Sequence, residues 1–425
     1  MSFSKRLTGL AILAATAIGA SMVGMPALHA QEQTAVKFWT FLPYGGERPR
    51  ERGETAIIDA FMKANPDIKI EVEVLPSGEI HKKFLATFAS GNGPDVLRVE
   101  PSILPVLIKA SALKPLDEYL ADWDEATRND FFDWNGTVAD GKKMVLPIAA
   151  NVFTLLYRTD LFAEKGLQPP KSWAEMTEVA KALTTSDRWG FAYALGREGN
   201  YAQALIPPFV WGAGGEILDQ DGKAAFNDAH GVDAFTYLYD LAHTHKVAPT
   251  EVNTFNLEDV MQGFMAGNYA MIIDGANRYS TIQGSDTVKG KVGIAHIPSQ
   301  SGDKPAPSYA TGGWMLGLNA RSEKSEAGAK FIKFYAGKQA QTILAEVAGD
   351  FPARKSVFDA PFMAAPDRAY LKEFANILAT SSGGPLQSER FSQLMGVALI
   401  PAAQEIFGGA DVKASLDAAA ARFDE

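Results

Sequence analysis

The alternation of strand-like and helix-like runs between residues 35 and 100 constrains this chain more than any other feature. "AVKFWTFL" (35–42) reads as a buried strand. "ETAIIDAFMKANPD" sets Ile57, Ile58, Phe61 and Met62 on one helical face, and Asn65-Pro66 stops the helix. "IKIEVEVL" alternates Ile68, Ile70, Val72 and Val74 with charges, the pattern of a half-exposed strand. "EIHKKFLATFASGNG" turns Ile80, Phe84, Leu85 and Phe88 inward, and "PDVLRVE" is the next strand. Strand, helix, strand, helix, strand implies right-handed crossovers and a mostly parallel sheet, so the class is α/β. Ligands of such sheets gather beyond the carboxyl ends of the strands. The residues just after Trp39 and Val99 are therefore the first places to look for a site.

The middle of the chain is more helical. Ser172 and Glu175 stand in capping-box spacing at the head of "SWAEMTEVAKAL". "GVDAFTYLYDLAHTH" carries Val232, Phe235, Leu238 and Tyr239 on one stripe. "NLEDVMQGFMAGNYAMIIDGANRYS" predicts a helix that ends at Gly267 and a short strand over 269–273. A loop of mixed polar and aromatic character, from Ala276 to Tyr279, follows that strand. Three helices close the chain, in "SEAGAKFIKFYAG", "KQAQTILAEVAG" and "DVKASLDAAAARF". At 425 residues, two lobes are favoured over one. No linker-like segment separates them, so the chain is expected to cross between lobes more than once.

The first thirty residues read as a targeting signal. Lys5 and Arg6 form a basic start, residues 7–25 are apolar with small side chains, and "ALHA" precedes "QEQ". Cleavage is expected after Ala30. The formal charge of the whole chain is −10, and losing Lys5 and Arg6 would leave −12. That balance argues against nucleic acid as a partner, which needs a basic face. "GERPRERGE" (46–54) interleaves three arginines with three glutamates and reads as a solvated, self-paired surface. There are no cysteines, hence no disulfide, no thiolate metal site, no cysteine nucleophile and no lipid-attachment cysteine. The periplasm of a two-membrane bacterium is the expected compartment, with free secretion as the alternative.

Catalytic and cofactor motifs are absent or broken. No phosphate-binding loop of the G-x-x-x-x-G-K-[ST] form and no G-x-S-x-G elbow occurs. "GAGGEI" (212–217) lacks the last glycine of the dinucleotide fingerprint. His243 and His245 are two apart and do not share a helical face, so they are not read as a zinc pair. A glycosidase carboxylate pair is defined in space and not in sequence, so a secreted carbohydrate-active enzyme stays open as an alternative. No metal or cofactor is expected.

Five stretches in order form a pattern: "FWTFLPYGGE", "ASGNGPDVLRVEPS", "LPIAANVFTLLYR", "PFVWGAGGEILDQDGKAAFN" and "FMAGNYAMIIDGANR" leading on to "YATGGWMLGLNARSEKSEAGAKFIKFYAGKQAQ". Together they resemble the bacterial extracellular solute-binding proteins of the maltose-binding type, the sugar-capturing components of ABC importers. The resemblance implies a two-lobed, type II periplasmic-binding-protein-like fold with multiple hinge crossings and sugar held between the lobes. It places one lobe at residues 31–148 plus 314–352 and the other at 149–309 plus 355–425. Hinges would lie near 148–153, 309–317 and 351–355. It also implies a membrane permease as partner and a monomeric binding protein.

Residues carry over from the resemblance one at a time. Thr40, Tyr44 and Glu47 follow the first strand, and Glu100 and Ser102 follow the third. Asn151 lies in the first hinge motif. Trp211 offers an indole face for a pyranose ring. Gly312 and Gly313 permit close backbone approach beside Trp314, and Arg354 follows the last crossing. After Asp274 and Gly275, many relatives carry a tryptophan that stacks on sugar. Here Asn277 holds that place and Arg278 follows it, which favours a small, polar or acidic sugar over a long maltodextrin.

Overall fold

The computed structural model describes residues 33–132, 138–139, 141–196, 202–311, 313–381 and 390–425. The targeting signal and Gly312 lie outside the described residues. Eleven strands are described. In chain order they are β1 (Thr34–Thr40), β2 (Ile68–Val74), β3 (Val96–Val99), β4 (Val138–Ala139), β5 (Lys142–Lys143) and β6 (Val145–Pro147). Then come β7 (Asn151–Arg158), β8 (Met271–Gly275), β9 (Val292–Ala295), β10 (Ala310–Thr311) and β11 (Met315–Leu318).

Two lobes result, each built on its own sheet. The first lobe carries five strands in the order β2-β1-β3-β11-β6. β1 runs parallel to β2 and β3, whereas β11 is antiparallel to β3 and β6. Period-two alternation sorts its side chains onto two faces. Val36, Phe38, Val96, Leu146, Leu316 and Leu318 enter one core. Trp39, Leu97, Val99, Val145 and Met315 enter the other. Both faces are covered, as a sheet with crossover helices requires.

The second lobe is antiparallel. β8 pairs with one edge of β7, and β9 and β10 share the other. Its core gathers most of the buried apolar residues between Ala150 and Phe423. The helix Leu257–Ala266 leads into β8 through Gly267, whose φ of +90° is the left-handed cap. Asn256 starts that helix with a capping box to Asp259.

The chain passes between the lobes in adjacent segments. β6 pairs with β11 in the first lobe, and β7 pairs with β10 in the second, so residues 148–150 and 313–314 run side by side. Ile148 donates to the Trp314 carbonyl at 2.9 Å. Gly313 has φ +60°, and a Cβ there would run into the Ala149 carbonyl oxygen, so only glycine fits this approach. A third passage lies against the first, where the Ala150 amide donates to the Phe351 carbonyl at 3.0 Å. It follows a π-helical turn, Leu344–Ala348, that Gly349 ends at φ +65°.

One surface reading is corrected. The run 46–54 leads into the helix Pro49–Ala64 and is only partly a solvated, self-paired surface. Arg48 and Glu51 do pair with each other, in a capping box. Glu51 and Glu54, however, are buried, and Arg50 reaches Asp350 at 2.8 Å. The alternation of charge hid two inward-facing carboxylates one helical turn apart.

Candidate functional site

The carboxyl ends of β1 and β3 face the passages between the lobes. Beneath them lies a buried polar network. Arg98, in the middle of β3, is 3% exposed. Its guanidinium bonds the Glu54 carboxylate, donates to Thr40 Oγ1 at 2.8 Å and to the Tyr335 hydroxyl at 3.0 Å. Thr40 in turn donates to Glu54 at 3.0 Å, and the Tyr335 hydroxyl donates to Glu54. Every partner is satisfied, as a buried ion pair demands. Phe41 covers this network, with Arg98 5.1 Å and Arg50 5.5 Å from its ring centroid. The Trp314 ring lies 4.7 Å from Phe41.

Glu100 stands at the rim. Burial lifts its carboxyl above the ordinary glutamate value, and a hydrogen bond from Ser102 offsets part of that rise. His81 supports the turn, with Nε2 3.1 Å from the Arg98 carbonyl and 3.3 Å from the Glu100 amide. Burial drives the His81 imidazole down to about 4, so it is neutral at physiological pH. Tyr309 stands one residue before β10. Burial first, then the Glu100 charge, push its phenol up. Its ring stacks on Phe153 with centroids 6.0 Å apart, and its hydroxyl lies 3.4 Å from Gln203. Glu100 belongs to the first lobe and Tyr309 to the second.

The end of β8 supplies the other side. Asn151 accepts from the Asn277 amide at 3.2 Å. Gly275 makes room for both asparagine side chains, since a Cβ there would come within 2.8 Å of Asn151 Oδ1. Among the described residues, Asn277 Oδ1 and Asp274 Oδ2 are buried with no hydrogen-bond partner. Burial raises the Asp274 carboxyl to about 6, while the Arg278 charge pulls it back.

The residues singled out from the sequence separate by what holds them. Thr40 is spent on Glu54 and Arg98. Tyr44 is exposed and donates to Asp59 at 2.5 Å. Glu47 is exposed, and its carbonyl accepts from Arg52. Arg278 is held by Asp274 at 3.2 Å, by Glu258 at 3.1 Å and by the Leu257 carbonyl at 3.0 Å. Arg354 is buried, bonded to the Ala336 and Thr127 carbonyls and to Asp130, and stacked 4.1 Å from Phe131. Trp211 and Trp314 are half-buried, Trp211 against the second core and Trp314 against the first. Among the described residues no three His, Cys, Asp or Glu side chains are placed to hold a metal. Nor is any helix long and apolar enough to cross a membrane.

Sequence reading passed over Glu54, Arg98, His81, Tyr309 and Asp350. One signal for Arg98 was present. A lone cation inside an otherwise apolar strand, "VLRV", is buried on both sides and needs an acid.

The family model of bacterial extracellular solute-binding proteins matches residues 46–342, more than half of the chain. A Deinococcus radiodurans protein described as a probable ABC transporter-binding protein is 31% identical over 49% of this chain and 50% of its own length. The chain spans 50% and 58% of the length of the first curated relatives it matches. Among solved structures, the maltose-bound MalE3 of T. maritima is 26% identical, with TM-score 0.78 over 92% of this chain and 99% of that one. A Thermotoga lettingae solute-binding protein bound to α-D-tagatose superposes with TM-score 0.78 over 92% of this chain and 99% of that one. At 21% identity it speaks for the fold alone.

Proposed function

This chain belongs to the bacterial extracellular solute-binding proteins, and on that premise we propose that it captures a small sugar, glycoside or polar or acidic sugar derivative between its lobes for delivery to an ABC permease. The observation that carries the reading is the pair of adjacent passages, residues 148–150 and 313–314, that join two separately packed cores. A carboxylate accepts hydrogen bonds from two neighbouring hydroxyls, and an aromatic ring covers the C–H face of a sugar. Glu100, Ser102, Asn151, Asn277, Trp211, Gly312, Gly313 and Trp314 are the proposed ligand contacts, with Tyr309 and Phe41 added to them. Thr40, Asp274 and Arg278 support the walls. Tyr44, Glu47 and Arg354 serve surface or packing roles. The maltose-bound relative supports a carbohydrate as ligand.

The lobes proposed from the sequence, with hinges near 148–153, 309–317 and 351–355, are retained. The paired passages give them a mechanical basis. Residues 148–150 and 313–314 can twist together without breaking the ladders on either side. The protein is proposed to act as a monomer in the periplasm after loss of residues 1–30, with no nucleic acid partner, and to bind its ligand without converting it. A thermal-shift screen over sugars, polyols and sugar acids tests this, followed by chromatography of the incubated hit. Ligand at a hundredfold excess over Kd adds about 2.7 kcal/mol to stability. A hit recovered unchanged is expected. A hit converted to product would replace the reading with the enzymatic one.

A further inference from the structure

The second lobe contains a cavity of about 740 Å³ that the cleft reading does not use. All of its lining belongs to that lobe. Its walls come from the end of β7, from β9, from the helix Tyr279–Ile282 and from the segment entering the helix Ala369–Leu378. The volume falls within the range of small-molecule sites, about 300–1,000 Å³.

Three tyrosines line it: Tyr157, Tyr279 and Tyr370. Gly293, on the neighbouring strand, lets the Tyr157 ring lie across β9, because a Cβ there would run into the ring. Tyr279 and Tyr370 stack on each other with centroids 4.7 Å apart. Their hydroxyls are already committed, Tyr279 to the Val292 carbonyl at 2.9 Å and Tyr370 to the Gly349 carbonyl at 2.8 Å. Arg368 is committed as well, donating to the Glu346 carbonyl at 2.9 Å. These groups build the wall and fasten it to the third passage between the lobes.

Two groups are left over. The Tyr157 hydroxyl and the Glu373 carboxylate make no hydrogen bond among the described residues, and both line the cavity. Lys289 and Asp367 add one charge of each sign at the lining. This set discriminates between ligand classes. An apolar ligand would strand the Glu373 carboxylate and the Tyr157 hydroxyl. An anion would meet Glu373 and Asp367, and an organic cation would meet Lys289 and Arg368. A polyhydroxylated ligand offers O–H donors to the carboxylate, acceptors to the ammonium and phenol, and C–H faces to the tyrosine rings.

We propose that this cavity is a second binding site, separate from the cleft, for a monosaccharide or sugar alcohol, with Glu373 accepting from its hydroxyls and the Tyr157 hydroxyl bonding to another of them. The site needs no permease and no lobe closure to fill.

Titration calorimetry of the full chain with D-glucose, D-mannitol and maltose tests it. At least one probe is expected to fill two classes of site. Glu373→Gln should weaken one class at least tenfold, and Tyr157→Phe should weaken the same class by a smaller factor. Glu373→Gln is isosteric, Tyr157→Phe removes only the hydroxyl, and both leave the wall bonds of Tyr370 and Arg368 intact. Glu100→Gln should weaken only the other class. A single class that Glu373→Gln weakens and Glu100→Gln spares would keep this site and remove the cleft reading. A single class for all three probes that Glu373→Gln leaves unchanged would overturn the proposal, as would two classes insensitive to both variants.

Discussion

Two buried polar clusters, one in each lobe, treat charge in opposite ways. Under the first lobe's strand ends, Arg98, Glu54, Thr40 and Tyr335 satisfy one another completely. Under the second lobe's strand end, Asp274 is equally buried. Among the described residues only one of its oxygens is partnered, and Asn277 Oδ1, three positions on, has no hydrogen-bond partner. The difference teaches which wall is scaffold and which is poised. A closed network resists change, because removing one member leaves an unpaired buried charge. An open one stores unmet hydrogen-bonding capacity where two adjacent asparagines reach the passage between the lobes.

Breaking the closed network should give the largest effect. Arg98→Met leaves Glu54 buried without its cation and should cost about 3–5 kcal/mol in urea unfolding at pH 7. A cost below about 1 kcal/mol would make the first network no more rigid than the second.

The open network should announce itself through pH. The folded Asp274 carboxyl sits at about 6, above its unfolded value of about 3.9. The folded state therefore holds this proton more tightly, and stability falls as pH rises between those values. Other carboxylates, such as Glu51 and Asp130, are lowered by their partners and shift the wild-type curve the opposite way. The comparison must therefore be made by difference. The stability of Asp274→Asn relative to wild type should rise by roughly 1–3 kcal/mol between pH 4 and pH 7 and then level off. A difference independent of pH would mean that Asp274 is as well matched as Glu54.

Ligand binding sharpens the contrast further. Glu100→Gln should weaken the cleft ligand about tenfold, or about 1.4 kcal/mol, with the melting temperature of the free protein nearly unchanged. An unchanged affinity would move the ligand away from the β3 rim. The smallest effect is expected from Arg278→Ala. Its guanidinium is taken up by Asp274, Glu258 and the Leu257 carbonyl, so affinity should change less than about threefold. A tenfold loss would put Arg278 on the ligand and favour an anionic sugar.

Much of the framework was legible in the sequence, because local patterns encode it. Short apolar runs marked β1 and β3, alternation marked β2, and Gly267 marked the end of the helix before β8 at its left-handed cap. The antiparallel strand β11 inside the first sheet was not legible. It comes from residues 315–318 and pairs with β3 more than two hundred positions earlier. The polar networks were hidden for the same reason. Glu54 and Arg98 are 44 residues apart, and Tyr335 reaches Glu54 across 281. Helical phase alone put Glu54 on the inner face, but the charges flanking it masked that phase. The Arg278 side chain illustrates the limit on sites. The sequence placed it at a strand end, whereas its direction depends on Glu258, at the start of a different helix.

The central claim is that two separately packed lobes close on a carbohydrate about their paired passages. Small-angle scattering of the full chain, alone and saturated with the sugar identified by thermal shift, tests it most directly. A smaller radius of gyration is expected with ligand, and a scattering curve that returns to the free form when the ligand is dialysed away. Identical curves with and without a saturating, calorimetrically verified ligand would contradict it.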